Sequence, residues 1–131
     1  MSEHRTVLVV DDDPDIRDIL VQVLEEEGYR VAGASNGREA LSYLRSTPKP
    51  PCVILLDLMM PIMNGWQFRV EQQRDPEISG IPVVVITATG DAQRKAANVD
   101  AAEVLEKPIE LDRLIAAVAR ACAVTPNAPA A

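Results

Sequence analysis

Short runs of aliphatic side chains alternate with longer amphipathic segments along most of the chain. The aliphatic runs are three to five residues long and rich in β-branched side chains, which is typical of strands buried on both faces of a sheet. The predicted strands are Thr6–Val10, Arg30–Ala34, Cys52–Leu56, Val83–Thr87 and Glu103–Leu105.

The amphipathic segments between these runs predict helices. In the first helix, Asp13 is placed as the N-cap, Pro14 fits the first helical position, and Gly28 ends the segment. Apolar residues recur at helical spacing in the later segments as well. These further helices are predicted around Ala40–Leu44, over Trp66–Arg74, over Asp91–Asn98 and around Leu111–Val118.

The alternation of five strands with five helices through short connections predicts an α/β fold. Such a pattern requires crossover connections, which place the strands in a parallel sheet with helices on both faces. The length of 131 residues corresponds to one domain that can bury its own core. Residues 124–131 hold two prolines among small side chains, and we expect them to form a disordered tail.

The charge balance limits the classes of partner. With 13 basic and 20 acidic residues, the formal net charge is −7, which argues against nucleic acid or an anionic membrane as a partner. No apolar run approaches the roughly 20 residues that span a bilayer, and the N-terminus lacks the pattern of a signal peptide. We therefore expect a cytoplasmic location.

Cysteine and histidine chemistry is limited by the composition. Cys52 and Cys122 lie far apart in aliphatic segments, so we expect two buried free thiols in a reducing cytoplasm rather than a disulfide. His4 is the only histidine and lies near the chain terminus. Catalytic triads and zinc clusters that need histidine are thereby excluded.

Polar residues stand where the predicted strands end. Asp11 and Asp12 directly follow the first strand, and Asp57 directly follows the third. Thr87 ends the fourth strand, and Lys107 comes shortly after the fifth. Because ligands of open parallel α/β sheets bind beyond the carboxyl ends of the strands, we expect these five side chains to converge on one edge.

This set of side chains is suited to phosphoryl transfer. Neighbouring carboxylates repel one another unless a cation lies between them, and Mg²⁺ prefers carboxylate, water and phosphate oxygens. Asp57 can also act as a carboxylate nucleophile that forms an acyl phosphate. Lys107 and Thr87 can supply donors to the phosphoryl oxygens, although neither residue is informative alone.

Two other ligand sites are inconsistent with the residues present. Asp11 begins a segment like an EF-hand loop, but Ile16 stands where that loop needs glycine and Gln22 where it needs glutamate. The chain also lacks the glycine-rich sequences of dinucleotide-binding and P-loop sites.

Four motifs together resemble the receiver domain of two-component response regulators, over residues 5–123. They are Val9-Val10-Asp11-Asp12, Leu56-Asp57-Leu58-Met59-Met60-Pro61 with Asn64-Gly65, Ile86-Thr87-Ala88, and Lys107-Pro108. The resemblance implies a flavodoxin-like, doubly wound sheet with the strand order 2-1-3-4-5. It also implies a stand-alone, chemotaxis-type regulator or a receiver fragment of a larger hybrid protein.

The resemblance assigns a role to each candidate residue. Asp57 would accept a phosphoryl group from a histidine kinase or a histidine phosphotransfer protein. Asp11, Asp12, Asp57 and the backbone carbonyl of Met59 would bind Mg²⁺. Thr87 and Lys107 would contact the phosphoryl group, and the Lys107–Pro108 peptide bond would be cis.

The output of such a switch would be the face formed by the Asp91–Asn98 helix, the fifth strand and the last helix. The sequence departs from the family there: Val104 occupies a position that is often aromatic, and Asp100-Ala101 replaces the usual Gly-Ala. A ring-swing relay cannot operate with valine. Two alternatives remain, a small Mg²⁺-dependent phosphohydrolase with an aspartyl nucleophile and a receiver that binds partners without phosphorylation.

Overall fold

The computed structural model describes residues 5–88, 97 and 99–123. The strands in this part of the chain are β1 Thr6–Val10, β2 Arg30–Ala34, β3 Val53–Asp57, β4 Val83–Thr87 and β5 Glu103–Glu106. The helices are α1 Pro14–Glu26, α2 Gly37–Ser46, α3 Gly65–Arg74 and α4 Leu111–Ala123. The helix predicted over Asp91–Asn98 lies, except for Ala97, outside the described residues, as do His4 and residues 124–131.

The five strands form one parallel sheet in the order β2-β1-β3-β4-β5, which confirms the predicted fold class. The three interior strands are buried along nearly their whole length, whereas the edge strands β2 and β5 are partly exposed. This difference explains why the interior strands appear in the sequence as continuous aliphatic runs.

Side chains alternate between the two faces of the sheet and form a separate core on each face. On β1, Leu8 and Val10 pack on one face with side chains of α2 and α3. Val7 and Val9 point to the opposite face, where α1 and α4 supply the covering side chains. The helices are therefore divided between both faces, as the alternation of elements predicts.

Local capping sets where the helices begin. The Asp13 carboxylate accepts hydrogen bonds from the backbone N–H groups of Asp15 and Ile16, which confirms Asp13 as the N-cap of α1. Helix α3 begins at Gly65, one residue earlier than predicted. Asn64 and Gln67 form a reciprocal capping box there, which satisfies two backbone donors.

The two cysteines form a disulfide, so the prediction of free thiols is wrong. Helix α4 runs back across the sheet from the end of β5, and its last turn reaches the amino-terminal end of β3. Cys52 and Cys122 consequently have Cα atoms 4.8 Å apart although 70 positions separate them in the chain. That Cα distance lies in the usual range for a disulfide. The local sequence around each cysteine does not predict such a distant contact.

A buried arginine connects α3 to the segment before β5. Arg69 donates hydrogen bonds to the backbone carbonyls of Val99 and Asp100 and to the side chain of Gln72. Asp100 has a φ of 58°, a left-handed conformation that glycine and, to a lesser degree, aspartate adopt readily. Aspartate in place of the family's usual glycine is thus compatible with this backbone.

Within residues 5–88, 97 and 99–123, no helix has both the length and the apolar character needed to cross a bilayer.

Candidate functional site

Three carboxylates meet at the carboxyl ends of β1 and β3. Val10 and Leu56 are paired in the sheet, so the residues that follow them, Asp11 and Asp57, stand side by side. Asp11, Asp12 and Asp57 each offer an oxygen atom, and these atoms lie within 4.8 Å of one another. Asp11 and Asp57 are buried, whereas Asp12 is exposed. The predicted convergence of the acidic residues is therefore present in the structure.

Asp11 is held in place by contacts on three of its polar groups. Its backbone N–H donates to the carbonyl of Ala34, 3.0 Å away, and its own carbonyl accepts from the Arg17 guanidinium at 2.7 Å. Oδ1 of Asp11 accepts from the backbone N–H of Asp13 at 2.9 Å. These bonds leave Oδ2 of Asp11 buried and directed at the other charged groups of the site.

Lys107 brings its ammonium group to two of these carboxylates. Its Nζ lies 3.4 Å from Oδ2 of Asp11 and 3.6 Å from Oδ2 of Asp57. The backbone N–H of Lys107 donates to the carbonyl of Thr87 at 2.8 Å, which fixes the start of the loop. The Lys107–Pro108 peptide bond is cis, as expected.

Burial and repulsion make the Asp57 carboxyl unusually basic. Desolvation is the largest cause, and the negative charge of Asp11 adds to it, so the pKa of Asp57 rises from 3.8 to about 6. The Lys107 ammonium and a hydrogen bond from the backbone N–H of Met59 to Oδ1, at 3.3 Å, act in the opposite direction. A carboxylate in this environment is stabilised by additional positive charge.

Thr87 lies at the end of β4, beside the strand that carries Asp57. The sheet register pairs Asp57 with Ile86, so Thr87 is one residue further along the same edge. Its side chain is fully buried. Across the described part of the chain, Oγ1 of Thr87 and Oδ2 of Asp11 are the buried side-chain atoms without a hydrogen-bond partner. Buried polar atoms without hydrogen-bond partners are rare and point to an additional ligand or state.

Gly65 lies directly behind the Asp57 backbone. A Cβ atom at this position would be 2.7 Å from the carbonyl oxygen of Asp57 and 2.8 Å from Cα of Leu58. Glycine therefore allows α3 to begin against the end of β3, with Gly65 N–H donating to the Leu58 carbonyl at 2.9 Å. The turn sequence Asn64-Gly65 marked the loop but did not reveal this close approach.

Sequence patterns did not identify the supporting residue Arg17. It stands on an amphipathic helix at a position that is typical of a solvated basic residue. Its bond to the Asp11 carbonyl depends on how α1 packs beside β1, which is a tertiary contact.

The residues of the site fit a divalent cation. The cluster contains three carboxylates, and the buried Oδ2 of Asp11 accepts no hydrogen bond. Burial and, after it, the negative charge of Asp11 raise the pKa of Asp57, so a cation here would relieve an unfavourable charge. All ligands on offer are hard oxygen atoms, which suits Mg²⁺ better than a softer metal.

The fold and this acidic edge define an α/β domain with a carboxylate site suited to a divalent cation, and comparison with known proteins identifies its family. The family model of the response regulator receiver domain matches residues 7–119. The chain therefore belongs to the response regulator receiver family of two-component systems, whose members are signalling proteins rather than typical enzymes.

Curated relatives include proteins of two lengths. The chain is 37% identical over 123 residues to "Response regulator Rre1" of Synechocystis, covering 90% of this chain and 52% of that protein. It is 32% identical over 111 residues to "Protein PilH" of Pseudomonas aeruginosa, covering 83% of this chain and 90% of that protein. The chain thus spans about half the length of some curated relatives and most of the length of others.

Solved structures show the same fold. Chemotaxis response regulator CheY4 of Vibrio cholerae superposes with a TM-score of 0.81 at 29% identity, covering 91% of this chain and 99% of that one. The receiver domain of a signal transduction histidine kinase from Syntrophus aciditrophicus gives a TM-score of 0.85 at 28% identity, covering 97% and 96%.

Proposed function

We propose that this chain accepts a phosphoryl group on Asp57 in a Mg²⁺-dependent reaction and changes its partner-binding surface in response. The observation that carries the proposal is the cluster in which Asp57 lies beside the carboxylates of Asp11 and Asp12 and shares the Lys107 ammonium with Asp11. Family membership favours this function over the phosphohydrolase. The presence of all three carboxylates and of Lys107 favours it over a receiver that binds partners without phosphorylation.

Receiver domains are phosphorylated by histidine kinases or phosphotransfer proteins, which supports a phosphohistidine donor. One oxygen of the Asp57 carboxylate forms a bond to phosphorus as the bond between phosphorus and the imidazole nitrogen breaks. The imidazole leaves with the bonding electrons and is protonated by water. The product on Asp57 is an acyl phosphate.

Lys107 and Thr87 have distinct roles in this reaction. The Lys107 ammonium is already beside Asp57 and balances charge on the transferred phosphoryl oxygens. The Thr87 hydroxyl, which lacks a partner in the unphosphorylated protein, donates to a phosphoryl oxygen after transfer. This bond draws the end of β4 toward the site.

Asp11, Asp12, Asp57 and the Met59 carbonyl would hold Mg²⁺. Bound there, Mg²⁺ would neutralise negative charge on the carboxylates and on the phosphoryl oxygens. Asp11 is oriented for this role by Arg17 and by the Asp13 N–H. The exposed Asp12 is placed to contact the ion directly or through water.

Signal output passes to a protein partner through the face predicted for the Asp91–Asn98 segment, β5 and α4. Residue 104 on β5 is valine, so a switch at this position operates without an aromatic ring. Val104 is partly buried against the core that α2 and α3 cover. The receiver domain in this proposal comprises residues 5–123. The phosphoryl transfer takes place in the cytoplasm.

The test is phosphorylation with acetyl phosphate and Mg²⁺, followed by intact-mass spectrometry. We expect the wild type and the control Asp18→Asn, an exposed aspartate of α1, to gain one phosphoryl group. Asp57→Asn gains none. Equal labelling of Asp57→Asn and the control, or the absence of labelling in the wild type, would refute the proposal.

A further inference from the structure

We propose that the Cys52–Cys122 pair is a reversible redox lock that fixes the carboxyl-terminal end of α4 to the amino-terminal end of β3. The Cα atoms are 4.8 Å apart, and the residues are only 5% and 4% exposed. The pair links positions separated by 70 in the sequence, and the closed loop contains β3, α3, β4, β5 and nearly all of α4. This function is independent of phosphorylation at Asp57.

The lock lies at the end of the sheet opposite the acidic site. Cys52 immediately precedes β3, and Asp57 ends the same strand. Helix α4 therefore has a different constraint near each end. The loop before the helix carries Lys107, which contacts the acidic residues, and the last turn carries Cys122.

The last turn of α4 contributes only small side chains to the core. The buried face of the helix begins with Leu114 and Val118 but ends with Ala121 and Cys122, which have small side chains. Small side chains bury less apolar area than Leu114 and Val118, so once the thiols are reduced, opening this turn costs less free energy than opening the preceding turns. The Arg5 guanidinium also donates a hydrogen bond to the Cys122 carbonyl, which ties this turn to the residue before β1.

The chemistry is thiol–disulfide exchange with a small disulfide such as oxidised glutathione. One cysteine thiolate attacks a sulfur of the oxidant, releasing one glutathione thiol and leaving a mixed disulfide. The second cysteine thiolate attacks the protein sulfur of that mixed disulfide and releases the second glutathione thiol. The two protein thiols are oxidised by two electrons in total, and the oxidant is reduced to two thiols.

Burial determines when this exchange can occur. Both cysteines are shielded in the closed protein, so the last turn of α4 must open before a glutathione sulfur can reach them. Reducing compartments keep thiols free, and disulfides persist under oxidising conditions. The end of α4 therefore loosens in a reducing environment and is held closed during oxidation.

The experiment compares wild type, Cys122→Ala and Cys52→Ala after treatment with dithiothreitol or oxidised glutathione. Thiol alkylation and intact mass report the bond, thermal unfolding reports stability, and amide hydrogen exchange reports opening of residues 111–123. Two single variants are used because either substitution alone could disturb the core. The same treatments of each variant separate the disulfide from other effects of the reagents.

We expect oxidised wild type to lose two hydrogens without retaining glutathione and to unfold at a Tm higher by on the order of 10 °C. Exchange near Ala121–Ala123 slows, exchange in β4 changes little, and dithiothreitol reverses every effect. The variants show no such response. Free thiols after oxidation, a stable glutathione adduct, a bond that dithiothreitol cannot reduce in the folded protein, or unchanged exchange in the last turn would each overturn the proposal.

Discussion

Nζ of Lys107 lies 3.6 Å from Oδ2 of Asp57. Asp57 ends β3 and Lys107 follows β5, and β4 lies between these two strands in the sheet. The lysine reaches across because its backbone N–H is bonded to the carbonyl of Thr87 at the end of β4. The ammonium group is thus anchored to one strand and directed at the carboxylate of another. Any movement of the end of β4 also moves this charge relative to Asp57.

The stability of the metal-free protein should depend on the ionisation of Asp57. Its pKa is about 6 in the folded state against an ordinary value of 3.8, so between these pH values the folded state binds more protons than the unfolded state. The free energy of unfolding therefore falls as the pH rises from about 4 to above 6. Asp57→Asn should stabilise by about 2–3 kcal/mol at pH 7.5 and by little at pH 4.

Urea unfolding in the presence of a chelator checks this pH dependence. Asp18→Asn, on the exposed face of α1, is the matched control and should leave the pH profile unchanged. A stabilisation by Asp57→Asn that is equal at pH 4 and pH 7.5 would show that ionisation of Asp57 is not its cause.

Asp12 and Asp13 are neighbouring exposed carboxylates with different roles, and substitution should separate them. Asp12→Ala should weaken Mg²⁺ binding at least tenfold, about 1.4 kcal/mol, because it removes a carboxylate of the cluster. Its stability should be unchanged or higher as repulsion is relieved. Asp13→Ala should retain Mg²⁺ affinity but lose about 1 kcal/mol of stability, since it removes the α1 cap. Calorimetric titration and urea unfolding measure the two effects; equal Mg²⁺ affinity of wild type and Asp12→Ala would exclude a metal-binding role for Asp12.

Thr87→Val should stabilise the unphosphorylated protein. The substitution keeps the shape of the side chain and removes a buried hydroxyl that has no partner, for an expected gain of about 1 kcal/mol. Thr47→Val is the contrasting control, because Oγ1 of Thr47 is hydrogen-bonded to the backbone of Lys49. Thermal unfolding compares the two variants, and a loss of stability in Thr87→Val would mean that the hydroxyl is already satisfied.

Gly65→Ala should destabilise the protein and displace the Asp57 backbone. The added methyl group would lie 2.7 Å from the Asp57 carbonyl and 2.8 Å from Leu58 Cα, so we expect a cost of about 2–3 kcal/mol. A Cβ atom at Gly80 would meet nothing within 4 Å, which makes Gly80→Ala the matched control. Chemical denaturation measures the free energy of unfolding of both variants. Similar values for the two would contradict the close packing of α3 against β3.

Ile62 has an unfavourable backbone conformation in the loop that follows Asp57. Its φ is 69°, a left-handed value that is rare for β-branched residues, and its side chain is 73% exposed. Ile62→Gly should therefore stabilise by roughly 0.5–1 kcal/mol, because the strain is removed and little packing is lost. The reverse change at another left-handed position, Gly28→Ala, should destabilise. We expect the two substitutions to change the free energy of unfolding in opposite directions, which urea unfolding measures. Destabilisation by Ile62→Gly would indicate that the Ile62 side chain makes stabilising contacts.

The local sequence predicted the sheet and most of the acidic edge correctly. The runs ending at Val10, Leu56 and Thr87 are aliphatic because interior parallel strands are buried on both faces, and that requirement is visible residue by residue. The strand ends then place Asp11 and Asp57 together, since parallel strands bring their carboxyl ends to one edge. The N-cap at Asp13 also follows from neighbouring residues alone.

The tertiary structure decided which distant groups touch and which remain without partners. Helix packing across the sheet determines three features. They are the Cys52–Cys122 bond, the hydrogen bonds from Arg69 to residues 99 and 100, and the Thr87 hydroxyl without a partner. Such contacts join positions about 30 to 70 residues apart. Periodicity records whether a side chain is buried, but it does not record the neighbour against which the side chain is buried.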